Sequence, residues 1–367
     1  MPIYRHKNYA VNIGNDGEIV VQRGDWLSKY SAAIHAGDTT RVNEYGNKNK
    51  GVVEPIPSRN LVTGERIFHI PTYERWLDTN PKMKLKANAY RLIKECENRR
   101  SQAIAFKVIS RFEVVEGLRE RVNDPSRIDQ GRAGLCPAAS LIFQLATDKP
   151  DVYAQFVIDL FEKGVGRIGT WQVEPSNDLK MYQIPLSGSG GFKVHAADWI
   201  PMASIRDSEN WFFDYQQIDE QWHWSINWLA QIVKSGGATF NELESWLKKA
   251  GYTEVIKGEG STWPEDNQRT RGNIKLASDY YVLGYKIILR IDANILYLDW
   301  QARGENERSN HVVVLTSKVN FQNVGGRENL SMTVYTWGSG THPIPLGGQL
   351  SVEDFLKYYY GFVAAKF

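Results

Sequence analysis

The chain predicts an α+β protein in three parts, and three observations carry that prediction. Residues 82–99 carry frequent charges and 103–118 show helical apolar spacing, so the segment before the midpoint reads as helical. Runs rich in apolar and β-branched residues recur in the last third, at 286–293, His311–Leu315 and 330–335, and read as buried strands. Between these regions Cys136 opens an apolar stretch, Leu141-Ile142-Phe143-Gln144-Leu145-Ala146, whose spacing suits a buried helix. The boundaries that follow are an N-terminal module at 1–72, a helical connector at 73–125 and a main domain at 126–367.

The N-terminal module is read from its start and end. Val20-Val21-Gln22-Arg23-Gly24-Asp25-Trp26-Leu27 leads into a short amphipathic helix. Pro55-Ile56-Pro57-Ser58-Arg59-Asn60-Leu61 follows, then Gly64-Glu65-Arg66-Ile67-Phe68-His69-Ile70-Pro71. The segment resembles a LysM module, with Trp26 in place of the usual threonine, Ser58-Arg59-Asn60 in place of Asn-Pro, and a longer central insert at 46–51. That resemblance implies a small βααβ unit. Its expected partner is a peptidoglycan or other N-acetylglucosamine polymer, or a component of a tail-like injection machine.

The connector ends at Asp124-Pro125, because the residue before a proline is pushed out of helix. Packing on the main domain as a lid is the role expected of it. Within the main domain, 186–191 reads as a flexible loop and 206–210 as a polar turn. Five of the twelve tryptophans lie between Trp199 and Trp228, a density that usually means core, with an aromatic wall to a cleft as the alternative. Thr239 and Glu242 form a capping box for a helix that buries Leu243, Trp246 and Leu247 and stops at Gly251. A helix at 276–283, stopped by Gly284, precedes the strand at 286–293.

The site is read from Gln130-Gly131-Arg132-Ala133-Gly134-Leu135-Cys136. A thiol at a helix N-terminus sits against unpaired N–H groups and the positive end of the helix dipole, both of which favour the thiolate. The glycines let backbone and a side-chain amide approach one point, so Gln130 is the candidate oxyanion donor. Taken alone, Cys136 could equally be a small buried residue. His311, first residue of the run His311–Leu315, supplies the candidate base; among the seven histidines it is best placed. His223 lies in an aromatic cluster, while His195 and His342 lie beside turns.

Three blocks together resemble the papain-like cysteine peptidases: Gln130, Gly131, Gly134, Cys136, Ala138 and Ser140; then Asn310, His311 and Val313; then Trp337 and Gly338, with Thr336 in place of serine. The resemblance spans 126–367 and implies a papain-like cysteine hydrolase domain. The implied chemistry is a Cys136–His311 thiolate–imidazolium pair that attacks an amide or acyl carbonyl, with the oxyanion held by Gln130 and the Cys136 N–H. Two departures stand out. Pro137 replaces the usual aromatic residue, harmlessly for a first helical turn. The asparagine that orients the imidazole aligns with Tyr335, so Tyr335, Asn329 or no third residue at all are the open alternatives, with Trp337 as a shield.

A protein or peptide substrate is expected. The combination with a LysM-like module resembles bacterial toxins and effectors, and the absence of an apolar leader after Met1 points to synthesis in the cytoplasm and export by a specialised secretion system. An immunity protein or a secretion-machine component is the partner that role implies. A peptidoglycan hydrolase is the first alternative, although Leu135-Cys136-Pro137-Ala138 lacks the Asp-Cys-Ser-Gly usual in wall enzymes. A non-enzymatic docking component with a degenerate hydrolase domain is the second. Transglutaminase or deamidase chemistry would use the same pair.

Composition excludes several other classes. Hydrophobic content of 42% and charged content of 23% are ordinary globular values. A net charge of +2 gives no ground for a nucleic-acid partner. No apolar run approaches the ~18 residues of a membrane span. The two cysteines, Cys96 and Cys136, make no disulfide framework, and no zinc motif is present, so neither a metal nor an organic cofactor is expected.

Overall fold

The computed structural model describes five strands within residues 1–80 and, beyond them, residues 81–99, 103–131, 134–181, 194–209, 240–258, 269–304, 311–336 and 340–367. The N-terminal strands are Ile3–His6 (β1), Tyr9–Ile13 (β2), Ile19–Arg23 (β3), Ile56–Arg59 (β4) and Arg66–His69 (β5). They pair as an antiparallel β1-β2-β3 meander and a β4-β5 hairpin. Among these strands β3 pairs with β2 and β5 with β4, so the pairing of first with last strand that a βααβ unit implies is not among them. The helices expected of that unit lie outside the described residues.

The helical half follows: Pro81–Asn98 (α1), Arg111–Asn123 (α2), Cys136–Asp148 (α3) and Pro150–Lys163 (α4). The small hairpin Gly166–Ile168 (β6) and Trp171–Val173 (β7) comes next, then Asn177–Met181 (α5), Ala196–Glu209 (α6) and Phe240–Lys249 (α7). α2 starts later than the spacing from 103 suggests because Ser110 and Glu113 form a reciprocal capping box there. Arg206, read from sequence as part of a turn, lies inside α6, which runs on to Glu209. α7 ends where expected, with Gly251 at φ 98°, while the capping residue Thr239 lies outside the described residues.

The sheet half comprises Glu254–Lys257 (β8), Arg271–Val282 (α8), Lys286–Ile291 (β9), Trp300–Arg303 (α9), His311–Leu315 (β10), Asn320–Val324 (β11), Arg327–Tyr335 (β12), Thr341–Ile344 (β13), Val352–Lys357 (α10) and Tyr359–Lys366 (β14). β8 to β14 make a seven-stranded antiparallel sheet with β10 between β9 and β12. Both faces are covered, so β9, β10 and β14 are apolar almost throughout. Ile288, Val312, Val314, Tyr335, Val363 and Ala365 face the helical half. Ile287, Leu289, Val313, Leu315, Phe362 and Ala364 face the other way, into a smaller core with α8 and α10. Successive strand residues thus feed two different cores.

The fold is α+β, as the sequence predicts, and α1 and α2 pack into the helical half. Tyr90, Ile93, Val114, Leu118 and Val122 are buried in the same core as α3, α4 and α6. Among the described residues, no helix is long and apolar enough to cross a membrane. Because Ile93 is fully buried in that shared core, Ile93→Ala should lower stability by about 2–5 kcal/mol through lost burial and the cavity left behind. Urea unfolding followed by far-UV circular dichroism checks this, and a change below about 0.5 kcal/mol would detach α1 from the domain.

Candidate functional site

The site is built where the chain leaves α2 and enters α3. Asp124 ends α2 and accepts from the Ser126 N–H through its side chain, starting the one-turn helix Pro125–Arg127. The Asp129 N–H then donates to Asp198 Oδ2 (3.2 Å), and the Asp129 carboxylate accepts from the Gly131 N–H (2.7 Å). Gly131 (φ 56°) and Gly134 (φ 64°) take the left-handed backbone that turns the chain into α3, a conformation costly for other residues. Gln130 is held between these contacts and is buried; its amide oxygen has no hydrogen-bond partner among the described residues.

Asp198 is the anchor of this loop. Arg121 of α2 binds it through Nε (3.0 Å) and Nη2 (2.7 Å), a two-pronged pair at the junction of α2, α6 and the loop. Burial pushes the Asp198 carboxyl up to about 6, with the Arg121 guanidinium and the Asp129 N–H opposing the rise, so it is ionised at neutral pH. Tyr335 closes the same corner from the sheet: its hydroxyl donates to the Ile128 carbonyl (2.5 Å) and its ring stacks on Phe143 of α3 at 3.9 Å.

Cys136 is the first residue of α3, with Leu135 as N-cap and Pro137 in the first turn, where its missing N–H costs nothing. The helix is buried on almost every side. Cys136, 4% exposed, meets β10 at the Val312 N–H, which donates to its sulfur. Arg290, paired with Val312 across β9 and β10, and Arg206 of α6 add positive charge nearby. Burial nevertheless dominates and pushes the thiol up to about 11.

His311, 5% exposed, opens β10 one residue before that contact. By strand alternation it falls in step with Val313 and Leu315, on the face away from α3. Its Nε2 lies 2.6 Å from Thr336 Oγ1, just past the end of β12. Burial pushes the imidazole down to about 3. Burial disfavours the charged form of both groups, and the partner met by the thiol is the Val312 N–H.

The candidate orienter also changes. Tyr335 alternates onto the α3 face and spends its hydroxyl on Ile128, so it does not hold His311. Asn329 is paired with Gln322, seven residues from Thr336, or about 20 Å along an extended chain. Thr336 is the neighbour that the register of β10 and β12 delivers. The sequence comparison marked it only as a replacement for serine; its signal was its parity with His311, readable once Val314 is paired with Tyr335. Asn310 and Trp337 lie outside the described residues. So do His35 and His223, while His195 Nδ1 accepts from the Ala197 N–H and His342 Nε2 meets the Leu296 carbonyl. Among the described residues no cluster of His, Cys, Asp or Glu is placed to hold a metal ion.

Comparison with protein-family models, with curated proteins and with solved structures finds no match to this chain.

The raised thiol has a direct consequence for reactivity. Only the thiolate is nucleophilic, and below its pKa the thiolate fraction grows about tenfold per pH unit. Iodoacetamide labelling of Cys136 in the folded chain should therefore be slow at pH 7 and climb through pH 10 without levelling. Peptide mass mapping across that range checks it; a rate already on a plateau at pH 7 would mean a preformed ion pair.

Proposed function

We propose that the chain is a cysteine hydrolase, a peptidase or amidase of papain-like design, in which Cys136 attacks an amide or acyl carbonyl. The carrying observation is that a cysteine at the N-terminus of a buried helix packs against the strand that opens with His311. From a neutral resting pair, His311 acts as a general base that removes the thiol proton during attack, and Thr336 orients it through Nε2. This requires the imidazole to leave the far face of β10 and reach the sulfur as substrate enters. Gln130 and the Cys136 N–H are assigned to the oxyanion, and water then releases the acyl group. Amine or glutamine substrates would turn the same steps to transglutaminase or deamidase chemistry.

We further infer a toxin or effector role on a protein or peptide target, exported by a specialised secretion system and restrained by an immunity partner. Its support is the pairing of a LysM-like sequence with a cysteine site. A wall hydrolase guided by that module to peptidoglycan is the competing role. A degenerate, non-enzymatic docking part is favoured by one specific observation: thiol and imidazole are both buried, and the thiol meets the Val312 N–H while the imidazole meets Thr336.

An irreversible peptidyl-epoxide probe separates these readings. The wild-type chain should gain one probe mass at Cys136, and His311→Ala should slow that reaction by about 10²-fold or more, the usual worth of a positioned base. Equal rates in wild type and His311→Ala would favour the docking reading. Expression in the cytoplasm or the periplasm of a test bacterium, with Cys136→Ala as control, then locates the target; cysteine-dependent killing from the periplasm alone, with released wall fragments, would favour the wall hydrolase.

A further inference from the structure

Gly117 lies in the middle of α2, where glycine is an unfavourable residue. His195 is the reason for it. A Cβ at 117 would run into the His195 ring and lie 2.7 Å from the Ala197 methyl, so the glycine is a seat that lets the start of α6 come against α2. The seated residue also caps α6. Its Nδ1 accepts from the Ala197 N–H (3.2 Å), and its carbonyl accepts from the Asp198 and Trp199 N–H groups (2.9 and 2.8 Å). Asp198, in that first turn, holds Arg121 and the Asp129 N–H and so fixes the loop that leads into Cys136.

A cap of this kind needs a neutral ring. An imidazolium has two N–H donors and no acceptor, so protonation would turn Nδ1 against the Ala197 N–H. It would also place a positive charge at the positive end of the α6 dipole. α2 presents three charged groups to the ring, Glu113, Glu120 and Arg121, each three or four residues from Gly117. Burial and Arg121 hold the imidazole below its ordinary value, with Glu120 and Glu113 opposing them. Both carboxylates are engaged elsewhere, Glu113 with the Ser110 N–H and Glu120 with Arg121 (2.9 Å). The charge on the first turn of α6 is Asp198, bound to Arg121. We propose that His195 is an acid-sensitive latch: neutral, it caps α6 and keeps Asp198 in place; protonated, it leaves its seat on Gly117 and frees the loop that carries Gln130 and Cys136. The latch does not depend on Cys136 being a nucleophile. Because the seated ring binds a proton less readily than a free one, the closed form is fully stable above the ordinary imidazole value of ~6.5 and loses stability as pH falls through the lower, seated value.

Hydrogen exchange of the full chain, read by peptide mass over 125–131 and 195–202 at about pH 7.5 and 5.5, tests the latch once the intrinsic pH dependence of exchange is removed. Protection of both segments should fall together at the lower pH, with far-UV circular dichroism unchanged. The fall should reach as much as about tenfold, the ceiling for a ring with a pKa of ~6.5 when free that stays neutral when seated. His195→Asn keeps a cap acceptor that does not titrate, and should hold protection constant between the two pH values. Asp198, at about 6, titrates in the same window. A fall that persists in His195→Asn therefore belongs to Asp198 and overturns the proposal, as does a wild-type chain whose protection changes less than about twofold. Should His195→Asn fail to fold, the wild type decides alone. Its His195 ring nitrogen shifts, followed through the same pH range, should titrate in step with the loss of protection. A ring that gains its proton while both segments stay protected overturns the latch.

Discussion

The buried pair of Arg121 and Asp198 is the constraint on which the site depends. It joins α2 to α6, and through the Asp129 N–H it also fixes the loop that carries Gln130 and then Cys136. Two charges removed from water gain little net stability from each other, yet losing either one strands the other at a cost of about 3–5 kcal/mol. The pair therefore acts less as glue than as a positional lock. Tyr335 applies the same lock from the sheet side, by binding Ile128 in the middle of that loop. Helix, loop and sheet meet at one buried polar corner, and Cys136 is threaded through it.

Burial is also what sets the chemistry. A helix N-terminus favours a nearby anion by ~0.3–1 kcal/mol, up to ~2 in the best buried cases. Full desolvation moves a titratable group by up to ~3–5 units, at about 1.4 kcal/mol each. At Cys136 burial is the largest influence and raises the thiol, with the Val312 N–H, Arg206 and Arg290 opposing it. His311 is subject to the same penalty with the opposite sign. Burial at such a site disfavours charge on either group.

The parts of the fold legible in sequence are those set by local pattern. β10 runs from His311 to Leu315 as its β-branched run predicts, and α3 begins at Cys136 because a proline in the first turn and glycines before it leave few other starts. The parts not legible are set by partners distant in the chain. Nothing near Arg121 announces Asp198, 77 residues away. Thr336 becomes visible as the neighbour of His311 only through the β10–β12 register. Arg206 reads as a turn residue in the polar run 206–210, because α6 is held by burial of its apolar face and not by helix propensity at its end. Alternation also bears on the pair itself: a strand that starts with His311 and aims Val312 at the helix puts positions 311 and 312 on opposite faces of β10.

The most direct measurement is the protonation state of His311, read from its imidazole nitrogen shifts in the ¹⁵N-histidine-labelled full chain between pH 4 and 9, with His311→Gln to assign the signals. A neutral ring across that range, unchanged by Cys136→Ala, is the result expected of a desolvated imidazole held by Thr336. An imidazolium at pH 7 that loses its charge in Cys136→Ala would contradict it and establish a preformed ion pair.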